Sequence, residues 1–364
     1  MTDDDKAGDA SDAFVFSGTW RDYLPIALAN LALTIVTLGI YRFWAKARER
    51  RYLWSRTRFI DDRLEWTGTG TEMFVGFLIA VALFTPLFLV LRFGAQAMVL
   101  RGQTGPAALL SLLLYLLLAF AFGFARFRAL RYRLSRSYWH GIRGGSDDPG
   151  LRYGLSATWK TAVGWLAFAL LVPWAMTRLW NEQWSAMSFG PYRFRADVQA
   201  RPLMGRWLAL LFSPLLLVVA GSLAGFGIAA SVAGGIDASP NAVAGAILIA
   251  VLTLLGIYLL FGLIGLFYYA AFQRAAIGSL SLGGIDFRFT ARSRDWLLLF
   301  LGDIALVIGT LGLGICFLGY RHWSFLIRHL GAVGEVDPSE VTQSATHAPR
   351  EAEGFADAFD LGAI

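Results

Sequence analysis

Charged residues, lysine, histidine and cysteine are all scarce in this chain of 364 residues. Only 16% of the residues are charged, whereas soluble domains carry about 25%. The single cysteine, Cys316, excludes disulfides within the chain and CxxC redox chemistry. The sequence has no HExxH, no GxSxG and no glycine followed by lysine, so the signatures of zincins, α/β-hydrolases and P-loop NTPases are missing. We therefore expect a membrane protein without enzymatic activity, cofactor or bound metal.

The acidic residues are concentrated at the two ends of the chain. Residues 1–12 and 335–364 hold 12 of the 26 acids, and we predict both stretches to be disordered acidic tails. The body between them has 30 basic and 14 acidic residues, a net charge of about +16. Only three of the 32 basic residues are lysine. Arginine binds phosphate bidentately, which suits lipid headgroups or an anionic solute, although GC-rich codon usage produces the same bias.

Seven long apolar segments organise the body of the chain. They cover residues 22–43, 72–92, 107–127, 157–179, 205–232, 241–270 and 295–320. A membrane-spanning helix needs about 20 apolar residues, and in these segments the apolar character continues around the helix, as lipid or a bundle core requires. We therefore predict an all-α polytopic membrane helix bundle of about seven transmembrane segments, in one multi-pass domain over residues 13–334.

Similarity within the chain divides this domain into repeats. Three pairs of stretches share one constant offset: Phe16–Leu24 with Phe289–Leu297, Thr37–Gly39 with Thr310–Gly312, and Asn30 with Asp303. A weaker middle copy aligns Trp174 with Trp44. We predict two repeats, at about 14–134 and 150–278, and a partial third at about 287–330. Such repeats are frequent in membrane helix bundles, but a duplication without any transport role leaves the same pattern.

Short polar inserts follow the basic ends of several apolar segments. They cover residues 55–70, 135–145, 185–196 and 278–291, and each combines a turn signal with aromatic or β-branched residues. This pattern predicts short β-hairpins or extended loops at the membrane surface. Within the first insert, Thr69 and Glu72 have the spacing of a capping box that starts the next membrane helix.

Two stretches of the first repeat carry a family resemblance. They are Thr37–Lys46, with the sequence TLGIYRFWAK, and Glu65–Glu72, with the sequence EWTGTGTE. Both resemble the YjgN-like family (DUF898), bacterial inner-membrane proteins catalogued as a domain of unknown function. The resemblance covers nearly the whole body and implies a multi-pass protein of the bacterial cytoplasmic (inner) membrane. It implies no activity, so no functional residues are carried over. In the middle copy Met176 stands where Lys46 would be.

Asp303 and its repeat equivalent Asn30 form the candidate intramembrane polar site. Asp303 lies eight residues past Asp295, about 12 Å further along a helix. An ionisable residue within the hydrocarbon costs at least about 2.5 kcal/mol, so it normally faces the bundle interior or a water-filled path. Two interpretations remain open: an interhelical hydrogen bond from a protonated carboxyl, which could reach Asn30, or coupling to a proton or cation.

Basic and aromatic residues at the helix ends form a second candidate site, which we call the basic collar. Its members are Lys46, Arg48, Arg50, Arg51, Arg56, Arg58, Arg131 and Arg133, with Trp44 and Trp54. Positive-inside anchoring with an aromatic belt explains such a set, and so does specific binding of anionic phospholipids or an anionic solute. Nucleic-acid grooves also combine cations with aromatics, but this set adjoins membrane segments. We therefore expect the lipid bilayer as partner and no nucleic acid.

Two glycines spaced as GxxxG, Gly221 and Gly225, offer a close-packing helix face. The face could join two copies of the chain into a homo-oligomer, or it could pack against another helix of the same chain.

The function predicted from these features is non-enzymatic binding or transport of a small solute, ion or lipid. The alternative is a structural or envelope-maintenance protein that organises anionic lipid or a protein partner. A transporter requires Asp303 and Asn30 to line one cavity, whereas a scaffold requires only side chains packed against one another without a cavity. Seven spans would place the N-terminus outside the cell. If segments 1, 4 and 7 instead re-enter, all four inserts are cytoplasmic.

Overall fold

A computed structural model describes residues 13–233, 240–334, 342–344, 346–347 and 354–359. Its α-helices are α1 (Trp20–Val36), α2 (Arg42–Ser55), α3 (Gly70–Leu100), α4 (Thr104–Arg136), α5 (Leu151–Leu166), α6 (Val172–Ser185), α7 (Arg201–Ala233), α8 (Pro240–Ile277), α9 (Ser293–Gly309), α10 (Leu318–His329) and α11 (Phe355–Ala358). A 3-10 helix, Leu313–Phe317, precedes α10. The predicted acidic tail 1–12 and most of the tail 335–364 lie outside the described residues.

The strands show that the prediction of an all-α fold was wrong. They are β1 (Phe14–Phe16), β2 (Thr57–Phe59), β3 (Asp62–Arg63), β4 (Glu65–Trp66), β5 (Ser137–Trp139), β6 (Ile142–Gly145), β7 (Ser188–Phe189), β8 (Tyr192–Ala196), β9 (Leu280–Leu282), β10 (Ile285–Phe289) and β11 (Leu330–Val333). Strands β4 to β11 form one antiparallel sheet in chain order, and β1, β2 and β3 form a second. The inserts pair with one another because each β-hairpin leaves unpaired backbone groups at its edges.

Aromatic and other apolar side chains form a cluster shared by the two sheets. Its buried members include Phe59, Trp139 and Ile285. The Phe14 ring lies 4.5 Å from the Phe59 ring and 6.4 Å from the Phe287 ring. Phe14 therefore brings the first strand next to the last β-hairpin.

Three of the seven predicted spans are instead short helical hairpins. The first is α1–α2, the second α5–α6 and the third α9–α10. Their first helices have 17, 16 and 17 residues, about 25 Å at 1.5 Å per residue, which is shorter than the roughly 30 Å hydrocarbon core. Each chain then turns back. The prediction of about seven transmembrane segments was wrong because it joined the first helix of each short hairpin, its apolar turn and the beginning of its second helix into one span.

The turns of the first and third short hairpins have the same construction. Leu38 and Leu311 adopt φ values of 50° and 51°, and the glycines after them adopt 91° and 93°. This left-handed conformation ends a helix and favours glycine. In the third hairpin the Thr310 hydroxyl donates to the carbonyl of Leu306 at 2.7 Å. The repeated Thr-Leu-Gly sequence is therefore a chain reversal, not the middle of a membrane helix.

Long helices form the membrane-crossing part of the protein. Among the described residues, three segments are long and apolar enough to span: Gly70–Leu100, Thr104–Arg136 and Val251–Ile277. Helix α7 has 33 residues and packs against α8. The predicted capping box at α3 is confirmed, since the Thr69 hydroxyl accepts from Glu72 N at 3.2 Å and Thr69 N donates to the Glu72 carboxylate at 3.5 Å.

The continuous sheet fixes the sidedness of the chain. Its strands come from all four inserts, so every insert lies on one side of the membrane. Each connection between inserts therefore leaves that side and returns, through a short hairpin or a pair of long helices. The short-hairpin turns expose Leu38, Phe168 and Leu311 by 94, 87 and 95%. Apolar side chains of this exposure suit burial in lipid. By the positive-inside rule we expect the sheet side to be cytoplasmic.

Candidate functional site

A cavity of about 750 Å³ lies between the first and third short hairpins. Helix α1 contributes Trp20 and Leu24 to its wall, and α9 and α10 contribute most of the remainder. The lining residues are Trp20, Leu24, Asp295, Leu298, Leu299, Leu306, Phe317, Tyr320, Arg321, Ser324, Phe325, Arg328 and His329. Sequence analysis did not identify this cavity, because its walls come from the first and the last of the apolar segments.

The cavity is polar at the end near the sheet and apolar at the other end. Asp295 begins α9 and His329 ends α10, so both lie next to the sheet. His329 Nε2 is 3.9 Å from the Asp295 carboxylate, and the Arg328 guanidinium donates to the Ser324 hydroxyl at 3.1 Å. The opposite end, towards the turn, is lined by Leu306 and Phe317. Such a gradient matches an amphipathic molecule aligned with the bilayer.

Asp303 joins the two helices of the third short hairpin. Its carboxylate accepts from Arg321 Nε at 2.6 Å and contacts His322 Nε2 at 2.7 Å. Asp303 is 8% exposed, and Arg321 also donates to the carbonyl of Leu299 at 3.3 Å. Because Arg321 lines the cavity, Asp303 holds a cationic side chain at the cavity wall. The sequence analysis missed both partners.

The structure does not bring Asn30 and Asp303 together. Asn30 is buried in the first short hairpin, where its Nδ2 donates to the carbonyl of Ala45 at 3.2 Å. The offset of the middle copy, which aligns Trp174 with Trp44, places Lys160 at the position of Asn30. Lys160 is buried as well and forms an ion pair with Glu182 on α6.

Asn30, Lys160 and Asp303 therefore close the three short hairpins from equivalent positions. In each hairpin the side chain on the first helix contacts a polar group on the second helix. Sequence analysis missed Lys160, although the repeat offset pointed to it.

The basic collar separates into exposed and buried members. Arg48, Arg51 and Arg58 are exposed, Lys46 and Arg56 are half-buried, and Arg50 is buried. Lys46 Nζ lies 3.4 Å from the carboxylate of Glu49.

On α4, the collar residue Arg131 donates from Nη1 to the carbonyl of Asp148 at 2.8 Å. Arg50 and Arg133 converge from different helices on one carboxylate, that of Asp357.

The two collar tryptophans have different surroundings. Trp54 is 5% exposed, stacks on Trp323 with 4.2 Å between ring centroids, and donates to the Ser137 hydroxyl at 2.8 Å. It therefore belongs to the core. Trp44 is half-buried, 5.3 Å from the Phe74 ring.

The GxxxG face packs within the chain at Gly221. A Cβ there would lie 3.3 Å from Ile257 Cδ1 on α8, so Gly221 allows α7 and α8 to approach. The prediction of a homo-oligomer through Gly221 and Gly225 remains a prediction.

Outside the membrane, an acid–histidine contact joins the first two inserts. His140 Nε2 lies 2.9 Å from the Asp61 carboxylate, and this hydrogen bond lowers the pKa of Asp61 below its ordinary value. Across the described residues, no group of three or more His, Cys, Asp and Glu side chains could hold a metal ion.

These observations define an integral membrane protein whose long helical pairs and short helical hairpins are joined by one sheet on a single side. The chain belongs to the family described as "Bacterial protein of unknown function (DUF898)", whose model matches residues 11–358. The resemblance predicted from the sequence is thereby confirmed.

Curated relatives named "Inner membrane protein YjgN" align with part of the chain. The protein from Escherichia coli K12 is 34% identical over 133 residues, 36% of this chain and 30% of the relative. The Salmonella typhimurium protein is 33% identical over 70 residues, 19% of this chain and 18% of the relative. The chain thus spans less than a third of the length of these relatives. No solved structure matches it. The protein is a multi-pass protein of the bacterial inner membrane.

Proposed function

We propose that this protein binds a phospholipid, without enzymatic turnover, in the cavity between the first and third short hairpins. The single observation that carries the proposal is the polarity gradient of that cavity. A headgroup would lie near Arg328 and His329, and an acyl chain would extend along Leu299 towards Leu306. A volume of about 750 Å³ falls within the range of small-molecule sites.

Binding is favoured over transport across the bilayer. A transport path would require Asp303 and Asn30 to line one cavity, but each is engaged within its own hairpin. Neither residue lines the cavity. Arg328, which lines the polar end of the cavity, adds a cation where the headgroup would lie. This cation favours a lipid with a negatively charged headgroup.

Organisation of the membrane by a structural protein is the second candidate function. The observation that favours it is the aromatic packing between the first and third short hairpins. Tyr23 lies 5.2 Å from the Tyr320 ring and 5.8 Å from the Phe317 ring. Filled contacts of this kind hold the hairpins together without any ligand.

Mass spectrometry of lipid that co-purifies with the protein tests the proposal. Leu24→Trp fills the cavity, so we expect it to lower the amount of retained phospholipid. Leu28→Trp is the matched control, since Leu28 lies one turn further along α1, is 46% exposed and does not line the cavity.

Equal lipid retention in wild type, Leu24→Trp and Leu28→Trp would contradict binding in this cavity. Absence of retained lipid from all three proteins would favour the structural role.

A further inference from the structure

A short piece of the C-terminal tail, residues 354–359, lies in a cleft formed by α2, α3 and α4. We call it the tail segment. Ala356 and Asp357 are 0% exposed, and Ala356 packs with Ala125 and Ala129 of α4. The ring of Phe359 lies 5.9 Å from that of Phe77 and 6.0 Å from that of Phe43. The tail segment is thus seated in a fitted site.

Two arginines of the basic collar bind the Asp357 carboxylate. Arg133 donates from Nε and Nη2 to Oδ1 at 3.1 and 3.0 Å. Arg50 donates from Nη1 to Oδ2, and from Nη2 to the backbone carbonyl of Asp357 at 3.2 Å. Arg50 is itself only 4% exposed, and its guanidinium lies 4.9 Å from the centre of the Trp66 ring. Both oxygens of one buried anionic group are therefore held by guanidinium groups on different helices.

This set of donors is what a phosphate group requires. Guanidinium groups bind phosphate and carboxylate oxygens in the same bidentate manner. Arg50 lies near the end of α2 and Arg133 near the end of α4, beside the sheet. Lipid headgroups lie at this depth, next to the ends of the membrane helices. Phe359 occupies the adjoining apolar space between Phe43 and Phe77, where the beginning of an acyl chain would fit.

We propose that Arg50 and Arg133 form a phosphate-binding site, which Asp357 occupies until a phosphate-bearing ligand replaces the tail segment. The ligand is an anionic phospholipid headgroup or free phosphate. This inference goes beyond the proposed function. Neither arginine lines the cavity between the short hairpins, so failure of one proposal leaves the other standing.

The tail segment is small enough to be displaced. Its helix, α11, has four residues, far fewer than an isolated helix needs for stability in water. Its buried apolar side chains are the small ones of Ala356 and Ala358, while Phe359 is 38% exposed, so the segment should open at a lower free-energy cost than the long helices. The ligand and the tail segment then compete for the site, and by linkage each weakens the binding of the other by the same factor.

Hydrogen–deuterium exchange of residues 354–359 in lipid nanodiscs tests the competition. With the full-length protein, phosphatidylglycerol should accelerate exchange in the tail segment by about fivefold or more relative to phosphatidylcholine, the lower end of common coupling factors. Acceleration in phosphatidylcholine discs on addition of millimolar inorganic phosphate would identify free phosphate as the ligand. Acceleration by phosphatidylglycerol alone would identify the lipid.

Two substitutions that both release the tail segment should have opposite effects on lipid binding. Asp357→Asn removes the competing charge but keeps the site, so bound phosphatidylglycerol in native mass spectra should increase by the same factor as the exchange rate. Arg133→Gln releases the tail and weakens the site, so bound phosphatidylglycerol should decrease. Asp197→Asn, at an exposed aspartate after β8, is the charge-matched control and should change neither quantity.

The proposal is overturned if neither lipid nor phosphate changes exchange in the tail segment. It is equally overturned if Asp357→Asn, Arg133→Gln and the control retain the same amount of phosphatidylglycerol.

Discussion

Replacement of Asp303 tests whether a buried ion pair holds the third short hairpin closed. Removal of one partner from a buried pair costs about 3–5 kcal/mol. The cost should be smaller here, because Arg321 has 33% side-chain exposure and keeps its hydrogen bond to the Leu299 carbonyl. We expect Asp303→Leu to lower the free energy of unfolding by about 2 kcal/mol. Asp303→Asn keeps an acceptor for Arg321 and should cost about 1 kcal/mol, since neutral hydrogen bonds are roughly half as strong as charge-assisted ones.

Thermal unfolding in detergent measures these differences. At about 2 °C for each kcal/mol, the lower end of the range for large domains, Asp303→Leu should melt about 4 °C below wild type and Asp303→Asn about 2 °C below it. The double variant Asp303→Leu/Arg321→Leu removes both charges. Its loss in free energy of unfolding should be smaller than the summed losses of the two single variants by about 1 kcal/mol or more. Strict additivity, or wild-type melting of Asp303→Leu, would refute the argument that this pair closes the hairpin.

Three further predictions concern sidedness, packing and pH. Cysteines introduced at Arg56 and Arg195 should both be protected from a membrane-impermeant reagent added outside the cell. A cysteine in the turn 101–103 should react with the same reagent. Labelling of one insert but not the other would contradict a sheet on a single side of the membrane. Gly123→Ala should destabilise the protein by about 1–3 kcal/mol, because its Cβ would lie 2.6 Å from the alanine Cβ that it faces on α5, and circular dichroism melts should show the loss. The pKa of Asp61 is lowered in the folded protein, so its ionised carboxylate stabilises the fold at pH values above the pKa of this group in the unfolded chain. This stabilisation is lost as the pH falls through the lower pKa of the folded state. Because the carboxylate is exposed, Asp61→Asn should remove at most about 0.5 kcal/mol of this stability, which thermal melting across that pH range measures.

The long helices and the capping box were predictable because their signals are local. Helix α3 starts where Thr69 and Glu72 satisfy its first backbone groups, and its apolar run exceeds the bilayer thickness. The chain reversals of the first and third short hairpins are also encoded in the local sequence. Thr37-Leu38-Gly39 and its copy at Thr310 combine a hydroxyl that bonds within the helix with a glycine at positive φ. A hydropathy average over the segment does not reveal such a turn, because the turn itself is apolar.

Hairpins in the inserts were predicted, but their pairing into one sheet and the tail contact could not be predicted from local patterns. Strand β4 has two residues, Glu65 and Trp66, and pairs with β5 more than 70 residues later. Periodicity over two residues has no meaning. Asp357 lies in a stretch whose composition resembles disordered chains, yet it meets Arg50 across a separation of 307 residues. Partners at this distance depend on the whole fold.

The order of strands in the sheet has a consequence for biogenesis. From β4 to β11, every strand pairs with the strands immediately before and after it in the chain, even where a pair of long helices intervenes. Each helical pair returns the chain to the edge of the sheet already formed, so the sheet can grow strand by strand as synthesis proceeds. No strand must be inserted between two others. The contact of Phe14 with Phe287 joins β1 to β10 and can therefore form only late in synthesis, after the four long helices have been made.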